Sequence, residues 1–548
     1  MLKINTLLAF LILSLCSLAQ PTVGLIDYQD SNTEGYVLFA PINSRTTYLI
    51  NKCGEMVNRW QSDYTPGMSC YLLEDGSLLR TADAGNPTFG NAGGSGGIIE
   101  KYDFDGNLTW TYTLSTNDNC LHHDLISLPN GNILALVWDR YTKAEAVAMG
   151  KDTAYSNDFL WSEKIIEIQP IGTDSGAIVW EWILWNHMVQ NFDSTKPNYA
   201  AQSAHPELMD INFFPASATN MDWVHMNSVD YNPELDQIVV SCHTFSEIWI
   251  IDHSTSTAEA ATHTGGHSGK GGDLLYRWGN PRVYARGAVA DKKFYGQHNA
   301  KWIKPGFPNA RKIIVFNNGL NRPGGAYSSI DIISPPLDSN NGYTISPTLA
   351  FAPLVQDWIY TAPTPTDFYS SNISGVWPIE NGSFMITTGA KGVLFEIDSN
   401  KNTVWKYINP VSGSGILSQG AIPATNLVFR CDFYPPNYAG LAGQALTPQG
   451  EIELNPTVPS ICDIALAAPD KNNAEIESMV YPNPSGDVIF IQSKANEEFN
   501  MEITDEFGRI VLQASHQSCL NISDLSKGIY FLKLSNLNQK KQVFKVVK

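Results

Sequence analysis

Short runs of alternating apolar and polar residues fill most of the chain, the period-two pattern of half-buried strands. Two half-motifs recur. The first is an apolar strand, a turn containing Asp or Gly, and a second strand that ends on an aromatic residue. It occupies residues 48–60, closing on Trp60, and 98–110, closing on Trp110. It returns at 165–182, at 248–278 around a long insertion, more loosely at 329–350, and at 393–405. The second half-motif is strand, tight turn, strand, centred on Asp75-Gly76, Asn130-Gly131 and Asn381-Gly382, dipeptides suited to hairpin turns. Copies with other turn residues cover 225–240, around Asn232-Pro233, and 298–315, with a weaker copy at 420–429. Helical periodicity is nearly absent, residues 145–149 being the best short candidate.

Paired, the half-motifs make about six units of four antiparallel strands, at repeats of roughly 40–70 residues. Such a unit cannot cover both of its faces alone, so neighbours must stack. The pattern predicts an all-β fold, a six-bladed β-propeller over residues 20–455, in preference to a pair of β-sandwiches. Composition shifts near residue 456. Residues 456–477, with Pro456, Pro459 and Pro469, read as a linker, and 478–548 as a small β-sandwich-like module. At the other end, Lys3, an apolar run over 7–15 and Ser17-Leu18-Ala19 predict a signal peptide at 1–19, too short to span a membrane. Lipidation at Cys16 is the weaker alternative, since no small residue precedes it.

Charge narrows the function. Against 54 acidic residues stand 35 basic ones, a net charge of −19. That excludes an electrostatic nucleic-acid binder and adhesion to anionic lipid. Beyond the leader there are seven cysteines, an odd number for an exported chain. Cys53–Cys70 and Cys431–Cys462 are plausible bridges that sequence alone does not fix. No Cys-x-x-Cys pair suggests a zinc ribbon or a thioredoxin-like site.

At matching offsets before the second half-motif's turns stand Met68, His122/His123, His225, His298 and Ser374. In a propeller these positions head the innermost strands and converge. Converging histidines serve either as metal ligands, with Asp124 or Asp222, or as acid, base and nucleophile on an anionic group. Arg322, in the Gly-rich loop running from Asn317 to Ser328, suits the second use, because guanidinium clamps sulfate or phosphate oxygens. His243 is expected at the opposite mouth. His187 and His205 flank an insertion expected to cap the channel. The loop containing His263 and His267 reads as a plain loop, and Trp223, Trp302, Trp377 and Tyr327 as packing or as a wall for a phenol.

Two resemblances follow. Tyr481-Pro482-Asn483-Pro484, Glu506-Phe507-Gly508-Arg509, the run from Leu525 to Phe531 and the closing Lys545-Val546-Val547-Lys548 resemble the C-terminal sorting domain of the type IX secretion system. This implies a Bacteroidetes-type source, handling by that machinery, and release or display at the cell surface. Asp222-Trp223-Val224-His225-Met226-Asn227-Ser228, Tyr276-Arg277-Trp278-Gly279-Asn280-Pro281, Gln297-His298-Asn299-Ala300, Asn318-Gly319 and the run from Gly389 to Asp398 resemble the bacterial arylsulfotransferases. That resemblance implies a sulfuryl group moved from an aryl sulfate to a phenol, through a sulfated histidine, with no nucleotide donor, no cofactor and no metal. His225 and His298 match two of the family's active-site histidines and Arg322 its sulfate-binding arginine. His123 joins them as a catalytic candidate. Asn227, Asn299, Asn318, Tyr327 and Ser374 are the substrate-binding expectations. The family's covalent histidine belongs near Ser374, where this chain has none. Another histidine, His123 or His225, then takes the role, or the chemistry differs, or the domain only binds glycans or sulfated polymers.

Overall fold

The structure is a computed structural model describing residues 21–548 apart from 30, 91, 219, 339–341, 458–460, 463–477, 494–498, 506–508, 516 and 537–540. The expected signal peptide, most of the expected linker and the Glu506-Phe507-Gly508 part of the sorting motif lie outside the described residues. The chain divides into two compact units, the first including Ser31–Pro456 and the second Thr457–Lys548. It is an all-β molecule. None of the described helices is long and apolar enough to cross a membrane.

Among the described residues, the first unit holds six antiparallel sheets of four or five strands, beside two short two-stranded pairs. The second sheet runs Pro66–Leu72, Leu78–Asp83, Gly97–Tyr102, Leu108–Thr113. The third runs Asn119–Ser127, Ile133–Thr142, Phe159–Ile171, Ser175–Ile183. The fourth is Met226–Asn232, Gln237–Cys242, Glu247–Asp252, Tyr276–Trp278, and the fifth His298–Trp302, Ile313–Asn317, Ser329–Ile333, Trp358–Tyr360. The sixth is Gly375–Pro378, Phe384–Thr388, Val393–Ile397, Thr403–Ile408, extended at its edge by Gly24–Tyr28. The first sheet draws Tyr36–Pro41, Thr46–Asn51 and Met56–Gln61 from the start of the unit and its remaining strand, Val428–Tyr434, from the end.

Two expected repeats are corrected. Residues 420–429 are not a hairpin, because the strand that follows pairs with Tyr36–Pro41. The fifth sheet's last strand is Trp358–Tyr360, beyond the expected limit of 350, after a long loop. The expected short helix is present at Lys143–Ala148, started by a capping box of Thr142 and Glu145.

Each sheet's first strand in space is an edge strand whose free N–H groups need partners. Polar side chains of neighbouring sheets supply them. Asp124 accepts from Val229 N (3.0 Å), Ser228 and Asp230 accept from Ala300 N (2.9 Å) and Trp302 N (2.8 Å), and Asn299 accepts from Val376 N (2.8 Å). Ser374 N then donates to Phe429 O, Leu72 N donates to the Tyr434 hydroxyl, and the Tyr71 hydroxyl donates to Asp124. Followed in order, this seam links all six sheets and returns to the third, where it began. It explains why the inner strands bury Asp, Asn and Ser among Val and Ile.

The aromatic ends of the first half-motif make a second, outer seam. Trp60 Nε1 donates to Asp103 O, Trp110 to Ser175 O, Trp180 to Thr255 Oγ1, Trp278 to Pro353 O and Trp405 to Lys52 O. Each indole buries its rings between sheets while its one polar atom is satisfied on the next sheet.

The second unit pairs Ser478–Tyr481, Val488–Ser493 and Cys519–Asn521 in one sheet. Ile510–Ser515, Phe499–Thr504, Ile529–Asn536 and Lys541–Val547 form another. The two share a core that includes Ile489, Met501, Ile503, Leu520, Leu532 and Leu534. Cys70 and Cys431 are free and buried in the inner region. Both expected pairings are thereby corrected: Cys70 and Cys431 sit on inner strands of different sheets, Cys431 with Thr387 beside its sulfur.

Candidate active site

Five of the inner strands carry, within them or just before them, a non-glycine residue with positive φ: Met68 (112°), His123 (48°), His225 (56°), Asn299 (56°) and Ser374 (89°), the last beside Ile373 (47°). Ladder registers slip beside the first four, as at Met226/Ser228 and His298/Lys301. Such bulges turn side chains out of the pleat. In the fifth sheet Asn299, not His298, takes the left-handed position, one residue later than expected.

His123, His225, His243 and His298 form a continuous row. Ring centroids are 4.6 Å apart from His123 to His225, 5.2 Å from His225 to His243 and 5.2 Å from His243 to His298. Phe429 lies beneath, 6.1 Å from His123 and 6.4 Å from His298. His243 is a correction. It stands at the same mouth as His225, because the strand Gln237–Cys242 runs antiparallel to the His225 strand and pairs Cys242 with Met226.

His225 and His243 open onto a cavity of about 760 Å³ that is also lined by Trp161, Asp222, Arg282, Lys292, Tyr295 and Asn321. That volume suits a small aromatic ligand. The two cations stand at the cavity of a strongly acidic protein. Gly94 crosses over His123 with φ +89°; a Cβ there would lie 2.0 Å from the imidazole.

The protonation states differ along the row. His225 Nδ1 is 2.5 Å from Asp222 Oδ2; burial depresses its pKa, but the carboxylate outweighs burial and raises it overall. Asp222 is held in place by a bridge between its segment and Trp161. His298 is lowered to about 3 by burial, then by His225. Its Nδ1 is 2.7 Å from Asn318 Oδ1, and Asn318 Nδ2 donates to Ser370 O and Ile373 O. That fixes the amide, so His298 carries its proton on Nδ1 and a lone pair on Nε2. His123 and His243 are pushed well below the ordinary value by burial and by neighbouring histidines. Behind His123, His122 Nδ1 is 2.9 Å from His123 Nδ1, and His122 Nε2 is 2.8 Å from Glu163 Oε2. Glu163 also accepts from Met226 N, and burial, then Asp222, raises its pKa.

The other expected residues fall as follows. The Arg322 guanidinium lies 4.2 Å over Tyr327 and 5.7 Å from Tyr295, with Nη2 donating to Ser329 Oγ; it flanks the cavity behind Tyr295 and does not line it. Asn227 Nδ2 donates to Gln297 O, Asn299 is part of the inner seam, and Asn318 orients His298. The Ser374 hydroxyl donates to Ser370 Oγ and accepts from Gly389 N. Asp124 is committed to Arg430, at 2.5 Å, and to Val229 N. His187 is buried between Ala260 and Asp273, and His205 pairs with Glu207.

Three cationic groups were missed by sequence. Arg282 directly follows the Tyr276–Pro281 motif, and Lys292 follows nothing periodic. Arg430 sits in the first sheet's closing strand, beside Phe429. Burial depresses its pKa, but Asp124 and Tyr71 outweigh burial and raise it.

The family model described as arylsulfotransferase matches residues 29–414, and the chain belongs to that family. A secretion-system C-terminal sorting domain matches residues 479–548, and the protein is therefore one exported to the cell surface or secreted. No curated protein matches the chain. Similar solved structures include a protein of unknown function from Bacteroides caccae, 12% identical, covering 73% of this chain and 99% of that one at TM-score 0.40. Virginiamycin B lyase from Staphylococcus aureus is 12% identical over 72% of this chain and 90% of that one, TM-score 0.33. The β-propeller domain of Cps50 (Swd1) from Myceliophteria thermophila is 9% identical over 70% and 88%, TM-score 0.34.

Proposed function

We propose that the six sheets form a six-bladed β-propeller whose mouth transfers a sulfuryl group from an aryl sulfate to a phenolic acceptor. The observation that carries the reading is the unbroken row His123–His225–His243–His298 at a cavity bearing Arg282 and Lys292. Arg282 and Lys292 hold the sulfate oxygens, Trp161 and Tyr295 flank the ring, and Arg322 supports Tyr295 from behind. His243, neutral and open to the cavity, attacks sulfur through a ring-nitrogen lone pair. The N–S bond forms as the S–O bond to the phenol breaks. His225, kept protonated by Asp222, gives its proton to the departing phenolate. His298, through its Nε2 lone pair, accepts a hydrogen bond from the His243 ring as positive charge develops there, with no proton transferred, and His123 backs His225. In the return step the acceptor phenol attacks sulfur, its proton passes to His225, and His243 is released.

The test is incubation with 4-nitrophenyl sulfate, rapid quenching and peptide mass spectrometry. A peptide containing His243 that gains one sulfuryl group, with nitrophenol released, is the expected result. Absence of turnover with every aryl sulfate offered defeats the reading. The second reading, a silent binder of glycans or sulfated polymers, draws on Ser374. Its hydroxyl is occupied by Ser370 and Gly389, so it does not replace a histidine there. Saturable binding of an aryl sulfate with no modified histidine would favour it.

A further inference from the structure

We propose that the outer edge between the third and fourth sheets binds a divalent cation of the zinc type through His187 Nδ1, His263 Nδ1 and an Asp273 carboxylate oxygen. These ligand atoms lie within 4.8 Å of one another, and Asp273 Oδ1 is 2.8 Å from each Nδ1. None of the three lines the sulfate cavity.

The orientation of His187 carries the inference. Its side chain is fully buried, and its Nε2 lies 2.9 Å from Ala260 O, a carbonyl that can only accept. The ring therefore donates from Nε2, which leaves Nδ1 as the atom that faces Asp273 and His263, where a cation seated among the three would be held. A backbone carbonyl on the far nitrogen is the arrangement that fixes the tautomer of metal-binding histidines.

The surroundings hold this geometry. His187 stacks on Trp182 at 5.7 Å and 3°, and Trp182 Nε1 donates to Gly272 O. Gly272 admits no side chain: a Cβ would lie 2.0 Å from Ala260 O and 2.6 Å from His187 Nε2. Ala260 closes the helical turn Thr257–Ala260, which Ser256 and Glu259 start with a capping box. His263 is 59% exposed, leaving an outward position for water in a four-coordinate site. Tetrahedral ligands at zinc distances stand roughly 3.4 Å apart, so binding needs the carboxylate to withdraw by a few tenths of an ångström. Two histidines and one carboxylate suit zinc better than calcium or magnesium, which prefer all-oxygen shells.

The experiment strips the full chain with chelator and titrates it with zinc by calorimetry, with elemental analysis of the dialysed product. The expected result is one zinc per chain, bound at least about tenfold more weakly by His263→Ala and by Asp273→Asn and unchanged in His243→Ala. Zinc should also raise the unfolding temperature of the unmodified protein and not that of His263→Ala. The exposed His263 keeps the test valid if Asp273→Asn fails to fold. Absence of stoichiometric zinc, equal affinity in His263→Ala, or loss of binding in His243→Ala alone would each overturn the proposal.

Discussion

Two sets of histidines in the same unit live under opposite rules. In the row, His123 neighbours the rings of His122 and His225, His243 those of His225 and His298, and His298 a neutral amide, and burial holds these three uncharged. Away from it, His253 bridges Glu167 (3.0 Å) and Asp236 (2.7 Å), which outweigh burial and raise its pKa. His225 belongs to the first set by place and to the second by chemistry, since Asp222 gives it what its neighbours lack. Whether the nearest partner is another ring, a carboxylate or two carboxylates decides whether a buried imidazole is held neutral or charged.

The sharpest way to break the contrast is His243→Ala. Removing the neutral ring that faces the cavity should cut sulfuryl transfer by more than about 1000-fold while the unfolding temperature stays within a few degrees. Retained transfer would move the covalent role elsewhere in the row. Next in size is Asp222→Asn, which takes the charge off the partner of His225. The rate should fall about 100-fold for donors with poor leaving groups, and much less for nitrophenyl sulfate, whose phenolate needs little protonation. Equal losses for both donors would dissociate His225 from proton transfer. Arg282→Ala should raise KM about tenfold with kcat nearly constant, and should weaken the dependence of kcat/KM on salt; a pure kcat effect would remove Arg282 from ground-state binding.

The smallest effect is on stability and tests the other set. His253 has a raised folded-state pKa, so its contribution is complete below the unfolded value near about 6.5 and is lost as pH rises through the folded value. Glu167 is lowered to about 2, by its hydrogen bond to His253 first; its contribution is complete above the unfolded value and is lost as pH falls through about 2. The clasp is thus strongest from about pH 5 to 6. His253→Gln should flatten the fall in unfolding temperature between pH 6 and 9; an unchanged slope there would show that the fall has another source.

The strands were legible because the two half-motifs rest on local rules. Turn dipeptides such as Asn130-Gly131 and terminal tryptophans such as Trp110 mark strands wherever they fall. What escaped were features set by long-range pairing. The strand Val428–Tyr434 has its partner near the start of the chain, so no neighbouring repeat announced it. His225 and His298 were readable from their offset before a turn. His243 was not, although an antiparallel hairpin must bring its last residue back beside its first, and the pairing of Met226 with Cys242 does so. Arg282, Lys292 and Arg430 come from irregular or distant segments, which carry no period to read. Arg322 shows the converse, a suggestive loop whose guanidinium is turned toward Tyr327 and Ser329.

The shared first sheet has a consequence for the order of events in the cell. A chain made or threaded only as far as residue 427 holds three of that sheet's four strands and an open edge on Tyr36–Pro41. Such an edge invites pairing with another molecule. Completion of the N-terminal strands must therefore wait for a segment that emerges after every other sheet of the unit, and whatever keeps the waiting edge covered in transit guards the molecule at its most vulnerable stage.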